Sequence, residues 1–389
     1  MYRSEMTNDK SKLRRTDSDS TNPVSRRRYM QAAGAVGTAA VAGCLGGGGV
    51  QLNVLTWEGY GTDTIVEKFE SENDATVNIS LLSSDSEGLS NLQSGGTEDY
   101  DLLTLNNTWA QRHAEAGTIE ALEPDDFPEM DNFLPQFQWP FDSFAYDNEM
   151  YALPTRWGWD TLTVNTDEVE EGHYDSYDVL WTGGPDGQYS GRMGIMDWPT
   201  WNIPKIALTL GYDPFEQDED ELEDISDHLV QMFNQFEAIY SGTSAIRQAF
   251  NQNDIAISPV GNFTVSELRA SGNDSINVVV PDEGGMQWTE GMCLVENPTD
   301  RDLAVEFMKT VISPEGQRSV SWEPSAKSPP VNTESFDLFD QDEQEALMFS
   351  EDGFDAAESI ASQTTPYEFS PLTDQWTDMW EEAKAQSSI

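Results

Sequence analysis

The chain has 389 residues, of which 20 are basic and 71 acidic, and its net charge is −51. It has no basic stripe that could meet phosphate, so nucleic acid is excluded as an expected partner. The acidic residues are spread among 12 Trp, 12 Tyr and 17 Phe, which indicates a folded protein with an acidic surface. Self-repulsion on this scale is tolerated where 1 M salt shortens the Debye length to about 3 Å, so the composition predicts a halophilic protein.

Residues 1–43 are predicted to be a twin-arginine signal peptide. The pair Arg26 and Arg27 stands directly before a mildly apolar stretch. That stretch, residues 32–42, is almost entirely Ala, Gly and Val, and it is too short to cross about 30 Å of hydrocarbon. The segment therefore predicts an export signal rather than a membrane span, for a protein that folds before it leaves the cell.

Cys44 is predicted to carry a lipid. The run Val-Ala-Gly-Cys at residues 41–44 resembles a lipobox, the site where an exported precursor is lipidated on Cys and cut just before it. Residues 44–50 then supply a Gly-rich tether. An ordinary signal peptide followed by a chance cysteine is the alternative. We expect the protein to be held by this lipid at the outer face of the cytoplasmic membrane.

The chain beyond the signal is still more acidic, and it contains two cysteines. Eight of the basic and four of the acidic residues precede Cys44, which leaves 12 and 67 and a net charge of −55. If Cys44 carries the lipid, Cys293 has no partner. About 345 residues exceed the size at which single cores usually split, so two domains are expected.

Strand and helix patterns alternate along residues 50–116. The first strand is predicted at 50–54, and a helix at 62–72 places Ile65, Val66 and Phe69 on one face. The elements predicted next are a strand at 76–82, a helix at 89–93, a strand at 100–105 and a helix at 107–116. This order predicts a parallel sheet covered by helices, with ligands at the carboxyl ends of the strands.

The middle and end of the chain also predict an α/β arrangement. Extended runs at 150–155 and 161–165, separated by a predicted aromatic turn at 157–159, indicate a crossing between two lobes. The later predicted elements are helices at 203–210, 224–240 and 265–270, strands at 255–258, 276–280 and 291–296, a helix capped by Thr299 or Asp300, and a closing helix around Trp376. The predicted fold class is therefore α/β, with two lobes.

Several segments between residues 51 and 332 together resemble the solute-binding proteins of ABC importers, most closely the spermidine/putrescine-binding group. The segments are Leu-Thr-Trp-Glu-Gly-Tyr at 55–60, Tyr-Asp-Leu-Leu at 100–103, Ala-Gly-Thr-Ile at 116–119, Tyr-Ala-Leu-Pro at 151–154, Trp-Gly at 157–158, Val-Asn at 164–165, Leu-Gly-Tyr at 210–212, Val-Pro-Asp-Glu-Gly-Gly at 280–285 with Trp288, and Ser-Pro-Pro-Val-Asn at 328–332. The resemblance implies a periplasmic-binding-protein-like fold, in which each lobe is a central sheet flanked by helices and a cleft lies between the lobes.

The resemblance also implies how the chain is divided and what it does. Residues 51–156 with 288–327 are expected to form the first lobe, and residues 157–287 with 328–389 the second. The implied function is to capture a small, polyamine-like organic cation outside the cell and to deliver it to an ABC permease. We expect a monomer without a cofactor, a metal or catalytic residues.

The ligand-contact residues are carried over position by position. In the first lobe and the crossing strands they are Trp57, Glu58, Tyr60, Asn106, Thr108, Trp288 and Glu290. Trp198 and Trp201 stand where polyamine binders of this family place acidic residues, and Asp197 is the candidate for a second carboxylate. Aromatic faces attract ammonium groups by about 0.5–2 kcal/mol and carboxylates bind them by charge-assisted hydrogen bonds, so this set suits an organic cation.

Two other functions remain open from the sequence. The first keeps the binding-protein role and changes the solute to a quaternary ammonium compound such as betaine, a sugar, a thiamine-like compound or a metal chelate. Because Trp198 and Trp201 stand in place of acidic residues of the family, the cleft would favour a less charged solute. The second is a secreted hydrolase with paired carboxylates, for which the sequence offers abundant acid but no catalytic motif.

Overall fold

The computed structural model describes residues 49–348, 359–387 and 389. The predicted signal residues Arg26 and Arg27 and the predicted lipid site Cys44 lie outside the described residues. Within the described part of the chain, no helix has the length and apolar character needed to cross a membrane.

The first sheet has six strands, which come from residues 50–160 and 285–366. Its members are β1 (Val50–Thr56), β2 (Ala75–Leu81), β3 (Leu102–Asn106), β6 (Leu153–Asp160), β12 (Gly285–Leu294) and β13 (Thr364–Pro366), while β4 (Ala145–Tyr146) and β5 (Glu149–Met150) form a separate hairpin. The strand order is β13-β12-β3-β1-β2, with β6 also paired to β12. Strands β1, β2 and β3 are parallel, as predicted, and β12 runs antiparallel to β3 and β6.

The second sheet has five strands from the middle of the chain. Its members are β7 (Leu162–Asn165), β8 (Met193–Met196), β9 (Phe236–Tyr240), β10 (Ile257–Ser258) and β11 (Ile276–Val279), in the order β11-β7-β10-β8-β9. The chain passes from the first sheet to the second at Thr161, between β6 and β7, and returns between β11 and β12. The long antiparallel pair β6/β12 therefore lies at the junction of the two sheets.

The helices cover both sheets. They are α1 (Asp63–Glu72), α2 (Asp85–Gln93), α3 (Ala110–Ala116), α4 (Val179–Thr182), α5 (Pro199–Leu210), α6 (Glu219–Gln235), α7 (Thr243–Asn251), α8 (Asn262–Ala270), α9 (Arg301–Ile312), α10 (Pro314–Trp322), α11 (Gln341–Ala346) and α12 (Thr373–Gln386). A buried edge-to-face pair, Phe69 of α1 and Phe307 of α9 with ring centroids 5.1 Å apart, joins two helices on the first sheet. Each sheet thus has its own apolar core.

The range 328–389, which was predicted to belong to the second lobe, contributes residues to both apolar cores. Val331, Phe339 and Leu347 belong to the core of the first sheet. Trp376 and Trp380 of α12 belong to the core of the second sheet. The exact boundaries of the two lobes stay a prediction.

Several predicted bounds differ from the structure, and three differences change where side chains lie. Residues 157–159 are not a turn but the middle of β6, because their backbone pairs with β12 and Gly158 faces Trp288. The helix predicted to reach residue 240 ends at Gln235, since the aromatic and aliphatic run Phe236–Tyr240 pairs with β8 as a parallel strand. Strand β12 begins six residues earlier than predicted and therefore includes Trp288.

Candidate functional site

Arg156 and Glu290 form a buried ion pair at the junction of the sheets. They are opposite each other in the β6/β12 register, and Arg156 Nε and Nη2 donate to Glu290 Oε2 and Oε1 over 2.6 and 3.2 Å. Arg156 Nη1 also donates to the carbonyl oxygen of Ala326 over 2.9 Å. Burial alone would lower the pKa of Arg156, but the adjacent Glu290 carboxylate raises it, so the guanidinium stays charged. The pair ties β12 to the loop that follows α10.

Tyr60 is the second partner of Glu290. Its hydroxyl donates to Glu290 Oε2 over 2.8 Å and lies 2.7 Å from Thr155 Oγ1. The side chain is fully buried, and burial together with the Glu290 charge raises the pKa of the phenol well above its ordinary value. Tyr60 is therefore a neutral donor that helps to fix the Glu290 carboxylate.

Asp85 is a second carboxylate near Glu290, and the sequence reasoning missed it. Its Oδ1 accepts the backbone N–H of Asn106 over 2.9 Å, and its Oδ2 accepts the Asn106 amide over 3.0 Å. Asn106 is the cross-strand partner of Glu290 in the β3/β12 register, so the two carboxylates flank Asn106. Burial raises the pKa of Asp85 to about 6, the hydrogen bonds from Asn106 oppose this, and the Glu290 charge adds to it.

A positional signal could have identified Asp85. It is the first residue of α2, directly after the Ser84 cap, on the helix that follows β2. The carboxyl ends of parallel strands meet at one edge of a sheet, so a helix start there carries its side chains to the ligand edge. Because the chain has many other carboxylates, the sequence did not distinguish Asp85 from them.

The remaining residues predicted for the first lobe lie at the ends of β1 and β3. Trp57 is half-buried, and its Nε1 is buried without a hydrogen-bond partner among the described residues. Thr108 is half-buried, two residues after the end of β3. Glu58 is exposed. The structure thus brings Tyr60, Asn106 and Glu290 into one hydrogen-bonded set and leaves Glu58 at the surface.

Trp288 lies on the same strand face as Glu290. The two residues are two positions apart on β12, so their side chains project to one side of the strand. The Trp288 ring packs beside Phe263, with centroids 6.2 Å apart, and opposite Gly158. An aromatic wall therefore continues from the ion pair towards α8.

The loop between β8 and α5 has partners near the C-terminus. Asp197 Oδ1 accepts the indole N–H of Trp380 over 2.7 Å and pairs with Lys384 Nζ at 3.0 Å. The Trp201 ring meets Tyr367 edge-to-face, with centroids 4.4 Å apart. Trp198 is half-buried against a small cluster of the second sheet. Asp197 is thus already ion-paired with α12, and its part in ligand binding stays a prediction.

Neither a metal cluster nor an accessible thiol is found in the described part of the chain. No group of three or more His, Cys, Asp and Glu side chains there could hold a metal ion. Cys293 is fully buried on β12, and burial raises the pKa of its thiol well above the ordinary value.

Comparison with known proteins identifies relatives along most of the chain. The family model of bacterial extracellular solute-binding proteins matches residues 64–348. The spermidine/putrescine-binding periplasmic protein of Escherichia coli K12 is 22% identical over 271 residues, which are 69% of this chain and 75% of the relative. A putrescine-binding periplasmic protein of Pseudomonas aeruginosa is 22% identical over 276 residues, 68% of this chain and 74% of the relative.

The fold is also found among solved structures. A substrate-binding protein of a spermidine/putrescine ABC transporter from Streptococcus pneumoniae superposes with a TM-score of 0.71 at 18% identity, covering 87% of this chain and 99% of that one. This likeness confirms the predicted two-lobed α/β fold.

Proposed function

Because the chain belongs to the family of bacterial extracellular solute-binding proteins, we propose that it captures a small, polyamine-like organic cation and delivers it to an ABC permease. The names of its curated relatives, which bind spermidine or putrescine, support this solute class. The proposed role is transport, with no catalytic step.

The observation that carries the proposal is the balance of charge around Asn106. Asp85 and Glu290 flank this residue, and among the described residues Arg156 forms its ion pair with Glu290. Asp85 has no cationic partner within the described residues, and its carboxylate accepts hydrogen bonds from the neutral Asn106 and from its own backbone N–H. A solute ammonium group would supply the missing positive charge through charge-assisted hydrogen bonds.

We propose that the solute lies between Asp85 and the aromatic side chains of the predicted set. Trp57 and Trp288 would supply faces for cation–π contact. The proposed contacts are Trp57, Glu58, Tyr60, Asp85, Asn106, Thr108, Trp198, Trp201, Trp288 and Glu290. Asp197, which Lys384 and Trp380 engage, is proposed to stay out of direct contact with the solute. Glu290 would act mainly by fixing Arg156 and Tyr60 in place.

A less charged cation, such as a quaternary ammonium compound, is the second candidate. It is favoured by the two internal ion pairs, Arg156–Glu290 and Lys384–Asp197, which neutralise two of the carboxylates predicted to hold a polyamine. A single positive charge would then suffice to balance Asp85.

We further propose that the protein is a halophilic monomer, exported through its twin-arginine signal and anchored by a lipid on Cys44. An anchored receptor would remain close to its permease. Replacing Cys44 by Ser should release the protein into the medium, and mass spectrometry of the wild-type protein should find a diacylglyceryl group on Cys44. Equal membrane retention of both forms would overturn the anchor.

The proposed function is tested by calorimetric titration in molar salt with spermidine, putrescine, choline and betaine. At least one of these should bind, and Asp85→Asn should weaken that binding at least about tenfold, equivalent to about 1.4 kcal/mol. Glu67→Gln, which removes an exposed carboxylate of the first lobe, is the control and should leave the affinity unchanged. If none of the four binds, the cation claim is wrong.

A further inference from the structure

Helices α7 and α8 interrupt the acidic surface of the protein. The 17-residue helix α6 carries six acidic residues, whereas the nine-residue helices α7 and α8 together carry only Glu267. Burial does not explain the difference, because Ser244, Gln248 and Asn251 of α7 are exposed to solvent. In a protein with a net charge of −51, an exposed face without carboxylates can approach a second acidic surface with the least repulsion.

A groove of about 350 Å³ lies between α7 and α8. Its α7 wall consists of residues that share one face of the helix, among them Arg247, Gln248 and Asn251. The carboxamides of that wall can both donate and accept hydrogen bonds. Glu267 of α8 is the one acidic residue among the described residues that line the groove, and Lys327 pairs with it at 3.2 Å. The groove therefore offers polar groups without a carboxylate that lacks a counter-ion.

Arg247 is the positive charge in this groove. Among the described residues it forms no ion pair, and its contacts are from Nη1 to the carbonyl oxygen of Ser325 and from Nη2 to the hydroxyl of Ser244, each over 3.5 Å. Both distances exceed the usual range of N–H···O bonds, about 2.7–3.2 Å, and both acceptors are uncharged. The guanidinium therefore keeps donors available, and their planar fork matches a carboxylate in bidentate geometry.

The outer surface of a membrane permease is a poor source of cations for an acidic receptor. Lys and Arg are concentrated in the cytoplasmic loops of membrane proteins, so the outer loops hold fewer of them. An acidic receptor must therefore supply the positive group at its own docking face. Molar salt shortens the Debye length to about 3 Å, so direct contacts such as an Arg–carboxylate pair decide the interaction in that medium.

We propose that the groove between α7 and α8 is a docking site for an acidic outer loop of the ABC permease, with Arg247 holding a carboxylate of that loop. This inference rests on the proposed transport function and assigns a surface through which the protein meets its partner. Gln248 and Asn251 bind backbone groups of the same loop. None of the proposed solute contacts lines the groove, so docking and solute binding can be changed separately.

Charge reversal at Arg247 separates docking from solute binding. Cells in which Arg247→Glu replaces the wild type should take up the radiolabelled cation that binds in calorimetry at least about tenfold more slowly, because the carboxylate of the loop is repelled. The purified variant should bind the same cation within about twofold of the wild type, as expected for a surface substitution. Arg247→Gln repeats the test if the Glu variant does not fold.

Arg269→Glu is the matched control for the uptake measurement. Arg269 also lies on α8 without an ion pair among the described residues, but it does not line the groove. The same change of charge at this position should therefore leave both uptake and affinity unchanged.

Photocrosslinking in intact cells identifies the partner. With Gln248 replaced by p-benzoylphenylalanine, irradiation should join the protein to a membrane protein with several transmembrane spans, whose deletion abolishes uptake of the cation. The same photoreactive residue in place of Glu223, an exposed position of α6, should not give this product.

The outcomes separate this inference from the function on which it rests. Normal uptake with Arg247→Glu, or an adduct from position 248 with a second copy of this chain or with no protein at all, would overturn the docking site and leave the transport function standing. Unchanged uptake in cells that lack the gene, or failure of every cation to bind, would overturn the proposed function, and the docking site with it.

Discussion

Arg156 and Glu290 face each other across β6 and β12 and join their charged groups through hydrogen bonds of 2.6 and 3.2 Å. Both side chains are largely removed from water, with 5% and 12% of their surfaces exposed. The Glu290 carboxylate, expected from the sequence to meet the solute, is thus already neutralised by the protein. Asp85, which flanks the same Asn106, has no cationic partner among the described residues.

Replacing Glu290 by Gln should destabilise the ligand-free protein by about 3–5 kcal/mol, because Arg156 would remain charged and buried without a counter-ion. Denaturant unfolding in molar salt measures the change. Glu67→Gln removes the same charge from an exposed position and should alter the free energy of unfolding by less than about 0.5 kcal/mol. Similar small effects for both variants would show that the pair does not stabilise the fold.

Asp85 should give pH effects of opposite sign on stability and on affinity. Burial raises its pKa from the ordinary value of 3.8 to about 6, so the folded state binds a proton more readily than the unfolded state does. In the absence of solute, Asp85 therefore lowers the free energy of unfolding progressively as pH rises from about 4 to about 6. Affinity for a cation should instead increase over pH 5 to 7, because the ionised carboxylate is the binding form.

Comparison of the wild type with Asp85→Asn isolates the pH effect of Asp85. The unfolding free energy of the wild type minus that of Asp85→Asn should fall as pH rises through this window, and the cation affinity of the variant should be flat there. The ionisable groups on α2 and on the elements packed against it are Glu87, Glu98, Arg112, His113, Glu115 and Glu290. All of them stay in both proteins. Parallel curves for both proteins would contradict the assignment to Asp85.

Gly158→Ala should weaken solute binding and destabilise the fold by about 1–3 kcal/mol, the usual cost of overpacking. The new Cβ would come within 2.4 Å of Trp288 Cζ2, so the indole would have to move. Gly88→Ala is the control, because a Cβ at that position of α2 meets its nearest neighbour at 3.4 Å and favours the helix. Calorimetry and thermal unfolding of both variants measure the two effects.

Asp197→Asn should leave the solute affinity within about twofold of the wild type and lower stability by less than about 1 kcal/mol. The reason is that Asp197 is already engaged by Lys384 and Trp380 of α12. Lys384→Gln should have the same small effect on stability, since it breaks the same ion pair. A large loss of affinity in Asp197→Asn alone would instead support Asp197 as a solute ligand.

The order of strands and helices in the first lobe could be predicted because its signals are local. Thr62 caps α1 through a hydrogen bond from Ile65 N to its side chain, three residues away. Gly117 ends α3 in the left-handed conformation, with φ of 63°. Between such signals, the spacing of apolar residues a few positions apart indicates whether a segment is a helix or a strand.

The ion pair and the course of β6 could not be predicted in this way. Arg156 and Glu290 are 134 residues apart, and nothing in the local sequence distinguishes Glu290 from the other acidic residues. The run Trp157 to Trp159 resembled a turn because Gly158 interrupts it. Its extended form is imposed by β12, whose Trp288 ring occupies the space above the glycine.

The decisive measurement is a crystal structure of the protein with its bound solute. A cationic nitrogen should lie within about 3 Å of the Asp85 carboxylate, the usual hydrogen-bond distance, with the Arg156–Glu290 pair intact. The proposed role of Asp85 is wrong if the positive group is paired with Glu290 and Arg156 is displaced, or if an anionic solute lies at Asp85.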